Sequence, residues 1–559
     1  MAGLSNEAAV AALTQKDAPF AMETAMIRGM PTRVWKNAPA SLRAVFEGSR
    51  AHGALPFLVY EDERLSYAEH YRRATALARA LAGRFGIRKG DRVAIAMRNF
   101  PEWSVAFWAA AATGAIVVPL NAWMTGAELH YCLADCGARL VVADAERAER
   151  LLPHRSSLPL EAVLVARAGG ALPQGMSRLE DLFGEDGALP EVAIDPEDDA
   201  TIFYTSGTTG KPKGALGTHR NICTNIVSTA FAKARTLLRR GEPLPAPGTA
   251  PKTATLLSVP FFHATGCHSV LCSSLYNGNK LVLMHRWEPE RAMQLIERER
   301  INGFGGVPSM AWQVLEHPAF GRYDLSSIES VGYGGAPAAP ELVARLQEKF
   351  PKAMPGNGYG LTETSSLTAQ NAAEDYQRKP DSVGLAVPVC DLRVVDAAGR
   401  DAAPGEVGEL WVKGPNVVKG YWNNPEATAA SFTKGWLHTG DLVRIDAEGF
   451  LYILDRAKDM LIRGGENVYC VEVEDALYSH PAVMDAAVVG IPHRVLGEEV
   501  GAVVQVKPGA RLSEAALRRH VGERLAAFKV PVRIVLREEP LPRNANGKIL
   551  KRELKAVFA

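Results

Sequence analysis

Cysteine is scarce. There are seven in 559 residues, Cys132, Cys136, Cys223, Cys267, Cys272, Cys390 and Cys470, odd in number and with no C-x-x-C. That pattern excludes a disulfide framework and suits a reducing cytosol. Net charge is also lacking: 63 basic against 62 acidic residues leave +1. No bulk attraction to nucleic acid or to an anionic membrane follows, and small ligands are expected instead. The start, M-A-G-L-S-N-E-A-A-V, has neither the basic opening nor the apolar run of a signal peptide. One stretch, between Glu102 and Glu128, carries no charge, but Gly114 and Pro119 divide it into an alanine-rich helix and a short strand over 115–118. It reads as a buried βα layer, not a membrane span.

The length exceeds what one hydrophobic core usually serves, so two or more domains are expected. Apolar strands recur between amphipathic helices at 92–97, 140–143, 162–165, 253–259, 280–284 and 330–332, which argues a layered α/β body. From about Asp391 shorter β stretches, 392–395 and 409–412, suggest a β-rich subdomain. After Asp455-Arg456-Ala457-Lys458-Asp459 a mixed α+β tail of about one hundred residues begins, an ordinary small-domain size. The boundary is set between 457 and 458, giving domains 1–457 and 458–559. A proline-rich stretch from Gly241 to Lys252 is expected to be an exposed, extended loop.

The chemistry is carried first by Y-T-S-G-T-T-G-K-P-K-G, Tyr204 to Gly214. A strand enters at 200–204 and meets Thr205, Ser206, Gly207, Thr208, Thr209 and Gly210, with Lys211 and Lys213 behind. Turning glycines, hydroxyl donors and compensating lysines make a cradle for a polyphosphate. Two residues between Gly207 and Gly210, and Pro212 where a magnesium-binding hydroxyl would stand, separate it from the Walker loop. The stretch resembles the phosphate loop of the AMP-forming acyl-CoA synthetases, in the adenylate-forming superfamily.

Further motifs similar to that family's follow in order, from about residue 40 onward. Pro260-Phe261-Phe262-His263-Ala264-Thr265-Gly266 resembles the border of the acyl pocket. His263, Cys267, His268 and Cys272 match no standard zinc spacing. Gly334-Gly335-Ala336-Pro337 and Gly358-Tyr359-Gly360-Leu361-Thr362-Glu363-Thr364 are similar to adenylate-binding motifs: Tyr359 is placed to stack on adenine, Thr362 to donate to the α-phosphate, and Glu363 to ligate Mg²⁺. Asp441, in W-L-H-T-G-D, and Arg456 match residues that reach the ribose, though Arg456 beside acidic neighbours also fits a plain ion pair. Lys458 falls at the family's hinge. Gly464 and Gly465 resemble the loop that lines the pantetheine tunnel, with Asn467 where arginine or glutamine is common. Lys548, in P-R-N-A-N-G-K, matches the catalytic lysine.

The resemblance implies a cytoplasmic ligase of fatty-acid metabolism that uses ATP, Mg²⁺ and coenzyme A. A small-molecule carboxylic acid becomes an acyl adenylate with release of pyrophosphate, and the acyl group then passes to CoA while a mobile C-terminal domain exchanges faces. Walls around Ala264, Gly266, Gly305, Gly306, Gly332 and Gly334 are small, which points to a hydrophobic acid larger than acetate, a medium- or long-chain fatty acid ahead of an aryl or ring acid. Delivery of the acyl group to a carrier protein is the alternative fate.

Overall fold

The protein is described from a computed structural model covering residues 3–184, 187–205, 211–246, 248–334, 340–544 and 547–558. Two large sheets make the body. The first has seven strands in the order Lys213–Thr218, Asp199–Thr205, Ile116–Leu120, Arg92–Ala96, Leu140–Asp144, Ala162–Ala166 and Met176–Arg178. All neighbours are parallel except the first pair. The second has nine, with Gly303–Gly306, Ser330–Gly334 and Met354–Tyr359 side by side and parallel in its middle. Continuous apolar strands such as L-V-V-A-D are what a sheet covered on both faces requires.

The uncharged stretch is resolved as its composition suggested. Helix Pro101–Ala112 is buried at all twelve positions, Gly114 turns the chain at φ 74°, and strand Ile116–Leu120 follows. Trp103, Phe107 and Trp108 share one core with Val93 and Val117 of the first sheet and Leu58 and Leu281 of the second. The helix is therefore the filling between two sheets. Pro119 lies inside the strand rather than ending it, opposite Ile95. On the other side pairing is recorded only at Thr201↔Val117, so the missing N–H of proline removes no bond of that ladder. Among the described residues no helix is long and apolar enough to cross a membrane.

The β-rich part is a five-stranded sheet of Asp391–Val395, Gly408–Lys413, Trp436–Ile445, Phe432–Thr433 and Leu451–Arg456. The next strand, Leu461–Arg463, already belongs to a separate five-stranded sheet with Glu466–Val468, Gly497–Val506, Val483–His493 and Arg533–Arg537. That sheet has its own core of Val488, Val500, Ala502, Leu477 and Leu517. The described part of 241–252 is largely exposed, without helix or strand. Sequence reading assigned no element before residue 40, where the structure has helix Asn6–Thr14 and a hairpin of Met22–Ile27 with Met30–Trp35.

Candidate active site

Strand Asp199–Thr205 runs into the phosphate loop and strand Lys213–Thr218 returns antiparallel, Thr205 opposite Lys213. Ser206, Gly207, Thr208, Thr209 and Gly210 lie outside the described residues, as do Gly335, Ala336 and Pro337. The loop's flanking lysines are described: the Lys211 ammonium stands 5.2 Å from the centroid of the Tyr131 ring, and that of Lys213 5.2 Å from Tyr421.

The two residues expected at the ribose, Asp441 and Arg456, are built into a hairpin. Strands Trp436–Ile445 and Leu451–Arg456 pair so that Asp441 is opposite Arg456, which explains their separation in sequence. Arg456 Nε lies 2.6 Å from Asp441 Oδ1, and the Tyr359 hydroxyl donates to Asp441 Oδ2 at 2.5 Å. Asp441 is only 3% exposed. Burial, and then the Asp441 charge, hold the Tyr359 hydroxyl far above its ordinary range, so it stays a neutral donor. Tyr359, expected as a stacking ring, thus also fixes the carboxylate.

Glu363 sits in a short 3₁₀ turn, Thr362–Thr364, followed by Ser365 and Ser366 at φ 53° and 95°. Its Oε1 accepts from the Tyr421 hydroxyl at 2.8 Å, and its backbone carbonyl accepts from Val418 N at 3.0 Å. One carboxylate with its second oxygen unengaged among the described residues fits Mg²⁺, which takes one or two carboxylates and completes its shell with water and phosphate oxygens.

Lys548 reaches this cleft from the C-terminal domain. It follows a tight turn in which Asn544 N donates to Lys548 O and Gly547 N to Asn544 O, both at 2.9 Å. A Cβ on Gly547 would lie 2.8 Å from a Val307 methyl, so the turn rests against the end of strand Gly303–Gly306. The ammonium is accessible in the cleft yet surrounded by protein. Burial, and then Arg456, push its pKa below the ordinary lysine value, while Asp441 and Glu363 oppose the shift. His263, half-buried opposite, is pushed down to about 4 by burial and then by Lys548, so it is a neutral imidazole.

A family profile described as AMP-binding enzyme matches residues 45–422, and one described as AMP-binding enzyme C-terminal domain matches residues 472–548. The chain belongs to the AMP-binding enzyme family. Feruloyl-CoA synthase of an Amycolatopsis species is 35% identical over 494 residues, spanning 88% of this chain and 94% of that protein. The long-chain-fatty-acid–CoA ligase of Bacillus subtilis (strain 168) is 36% identical over 498 residues, spanning 84% and 86%. Among solved structures, the o-succinylbenzoate coenzyme A synthetase of Bacillus subtilis in complex with ATP and magnesium ion superposes with a TM-score of 0.76 at 31% identity, covering 91% of this chain and 98% of that one. The protein is an ATP-dependent, AMP-forming acid–CoA ligase.

In this member of the AMP-binding enzyme family the structure revises what the pocket glycines do. A Cβ on Gly266 would lie 2.1 Å from the Pro260 carbonyl oxygen, on Gly305 1.8 Å from that of Gly332, and on Gly306 2.5 Å from Met310 Sδ. Those glycines allow close packing and do not by themselves leave room for substrate; Ala264 is buried. Gly332 differs: it is exposed in a central strand, and its Cβ direction meets nothing within 4 Å. Gly464 and Gly465 form a two-residue turn between Arg463 and Glu466 at φ 60° and 93°, which that turn requires. Lys458 is exposed, in the turn between the two sheets. Tyr421 and Arg28 were not found by sequence reading; the aromatic pair Tyr421-Trp422 within a polar loop was the available signal for the first.

Proposed function

We propose that the acid is hydrophobic and larger than acetate, with a medium- or long-chain fatty acid preferred, and that its chain runs over Gly332. The observation that carries this reading is the open surface at that glycine, where a central sheet strand would ordinarily be covered. An aryl or ring acid is the second reading, supported by the feruloyl-CoA synthase at a nearly equal identity.

In the first half-reaction a carboxylate oxygen attacks the α-phosphorus and pyrophosphate leaves. Two unit charges about 4 Å apart at an effective dielectric near 20 repel by about 4 kcal/mol, about three powers of ten in rate. Lys548 offsets this by standing between nucleophile and α-phosphate, with Thr362 donating to the same group. Glu363 would hold Mg²⁺, which when bound would neutralise charge on the departing phosphates. Lys211 and the loop amides receive them. Asp441 and Arg456 hold the ribose, and neutral His263 lines the acid's entrance without competing for its charge. In the second half-reaction the C-terminal domain pivots at Lys458, the boundary of our two domains, and the Gly464-Gly465 turn faces the thiol of CoA. Seven free, buried cysteines support a cytoplasmic site of action.

The test is thioester formation across acids of graded length, with and without rings, by the native enzyme and Gly332→Leu. The native enzyme should favour the longer apolar acids. Gly332→Leu should lose kcat/KM for them by about a hundredfold, the scale on which pocket volume discriminates, while acids the size of acetate are spared. Native preference for acetate or an amino acid, or an unchanged panel in the variant, would refute the reading. AMP release that needs no CoA would favour a carrier protein as acceptor.

A further inference from the structure

The hairpin at residues 22–35 precedes the part of the chain matched by the family profile, which begins at residue 45. Its turn is Arg28-Gly29, between Ile27 and Met30, at φ 49° and 76°. A two-residue turn of this kind wants φ > 0 at both positions, which glycine or asparagine tolerates and arginine does not favour. The arginine nevertheless has a destination. Its Nη1 donates to the Val418 carbonyl at 2.6 Å and its Nη2 to the Val417 carbonyl at 3.1 Å.

Those carbonyls belong to the segment that holds Glu363. Val418 N donates to the Glu363 carbonyl at 3.0 Å, and three residues on the Tyr421 hydroxyl donates to Glu363 Oε1 at 2.8 Å. The same segment is tied to the strand leaving the phosphate loop: Lys419 N donates to Leu216 O at 2.9 Å, Leu216 N to Gly420 O at 2.9 Å, and Trp422 N to Gly214 O at 2.7 Å. One short strap thus connects Glu363 to the phosphate loop. The peptide between Val417 and Val418 is gripped on both sides, its N–H by the Glu363 carbonyl and its C=O by Arg28 Nη2, with Asn221 Nδ2 donating to the same carbonyl at 3.1 Å.

We infer that Arg28 is a positioning residue for adenylation: the amino-terminal hairpin clamps the 417–422 strap through two carbonyls and so sets the place of the Glu363 carboxylate. Arg28 spends its hydrogen bonds on the backbone carbonyls of Val417 and Val418. The inference rests on the reading of Glu363 as the Mg²⁺ ligand, and its effect should show as metal dependence rather than as lost chemistry. A guanidinium suits the task because its rigid fork can donate to two adjacent acceptors at once, whereas an ammonium is a point donor.

The test compares native protein, Arg28→Ala, Arg28→Lys and Glu363→Gln by two readouts. The first is amide hydrogen exchange in the ligand-free protein over peptides covering 361–367 and 415–423. The second is the Mg²⁺ half-saturation of ATP–pyrophosphate exchange at fixed ATP. Arg28→Ala should exchange faster in both peptides with other peptides unchanged, and should raise the Mg²⁺ half-saturation about fivefold, the lower end of a coupling between sites. Arg28→Lys should fall between it and the native protein, and it carries both readouts if the alanine variant does not fold. Native protection of 361–367 in Arg28→Ala, or a native Mg²⁺ half-saturation where Glu363→Gln shifts its own, overturns the inference. If Glu363→Gln leaves metal dependence untouched, the reading of Glu363 fails instead, and the hydrogen-exchange result alone still decides whether the clamp exists.

Discussion

The two sides of the cleft are built in opposite ways. Asp441 is 3% exposed, holds a hydrogen bond from Tyr359 and an ion pair with Arg456, and belongs to a strand hydrogen-bonded on both sides. Lys548 sits on a turn of the C-terminal domain, outside any strand, its residue surface largely exposed while its ammonium is surrounded by protein, with no ion pair among the described residues. On the proposed reading, the side that recognises the nucleotide in both half-reactions is prearranged, and side-chain pairs do the arranging. On the same reading, the group wanted in only one half-reaction is lent by a domain with its own core. The domains meet through a half-buried ion pair, Lys507 Nζ 3.5 Å from Glu316 with the ammonium 5.4 Å from the Trp312 ring centroid, and through a buried hydrogen bond beside the boundary, Cys470 N donating to Asp455 Oδ2 at 2.5 Å. The ion pair is of a kind weak enough to be exchanged.

The comparison can be broken most directly at the lent side. Lys548→Ala should lower ATP–pyrophosphate exchange by about three powers of ten, the cost estimated for unrelieved anionic repulsion. Reaction of supplied acyl adenylate with CoA should stay close to native, and normal exchange in the variant would remove Lys548 from the mechanism. On the prearranged side, Asp441→Asn should weaken ATP binding by about tenfold, roughly one charge-assisted hydrogen bond, with exchange largely recovered at saturating ATP. Exchange that stays low at saturation would give Asp441 a part in the chemistry itself.

The smallest effect is one of pH. The Lys548 pKa lies below the ordinary 10.5, through burial first and Arg456 second. The charged form needed for adenylation exists below that pKa, so exchange should fall as pH rises through a value under 10.5. His263, with a pKa of about 4, should add no break between about pH 6 and 8. In Lys548→Arg the alkaline fall should vanish, because a guanidinium keeps its proton; an identical fall would assign it to another group.

Much of this was legible before any coordinates. The strand before the phosphate loop, the change of texture near Asp391 and the motif order all rest on local signals, namely apolar runs, glycine punctuation and lysines at fixed offsets. Strand ends moved by a residue or two: 392–395 became Asp391–Val395 and 330–332 became Ser330–Gly334. What sequence could not show were groups meeting from distant positions. Tyr359 and Asp441 were both singled out, yet nothing in either motif says that one hydroxyl serves the other carboxylate. Arg28 was invisible because its acceptors are backbone carbonyls, which every residue carries. The glycines of the pocket misled for a related reason, since a missing side chain signals a close neighbour as readily as an empty space; only the fold separates Gly305, against a carbonyl, from Gly332, against nothing.

The division of labour across the cleft is tested most directly by titrating ATP into Lys548→Ala and measuring its affinity calorimetrically. A value equal to that of the native enzyme is predicted, because the hairpin of Asp441 and Arg456 holds the nucleotide without the lysine. A loss as large as that of Asp441→Asn would contradict the account.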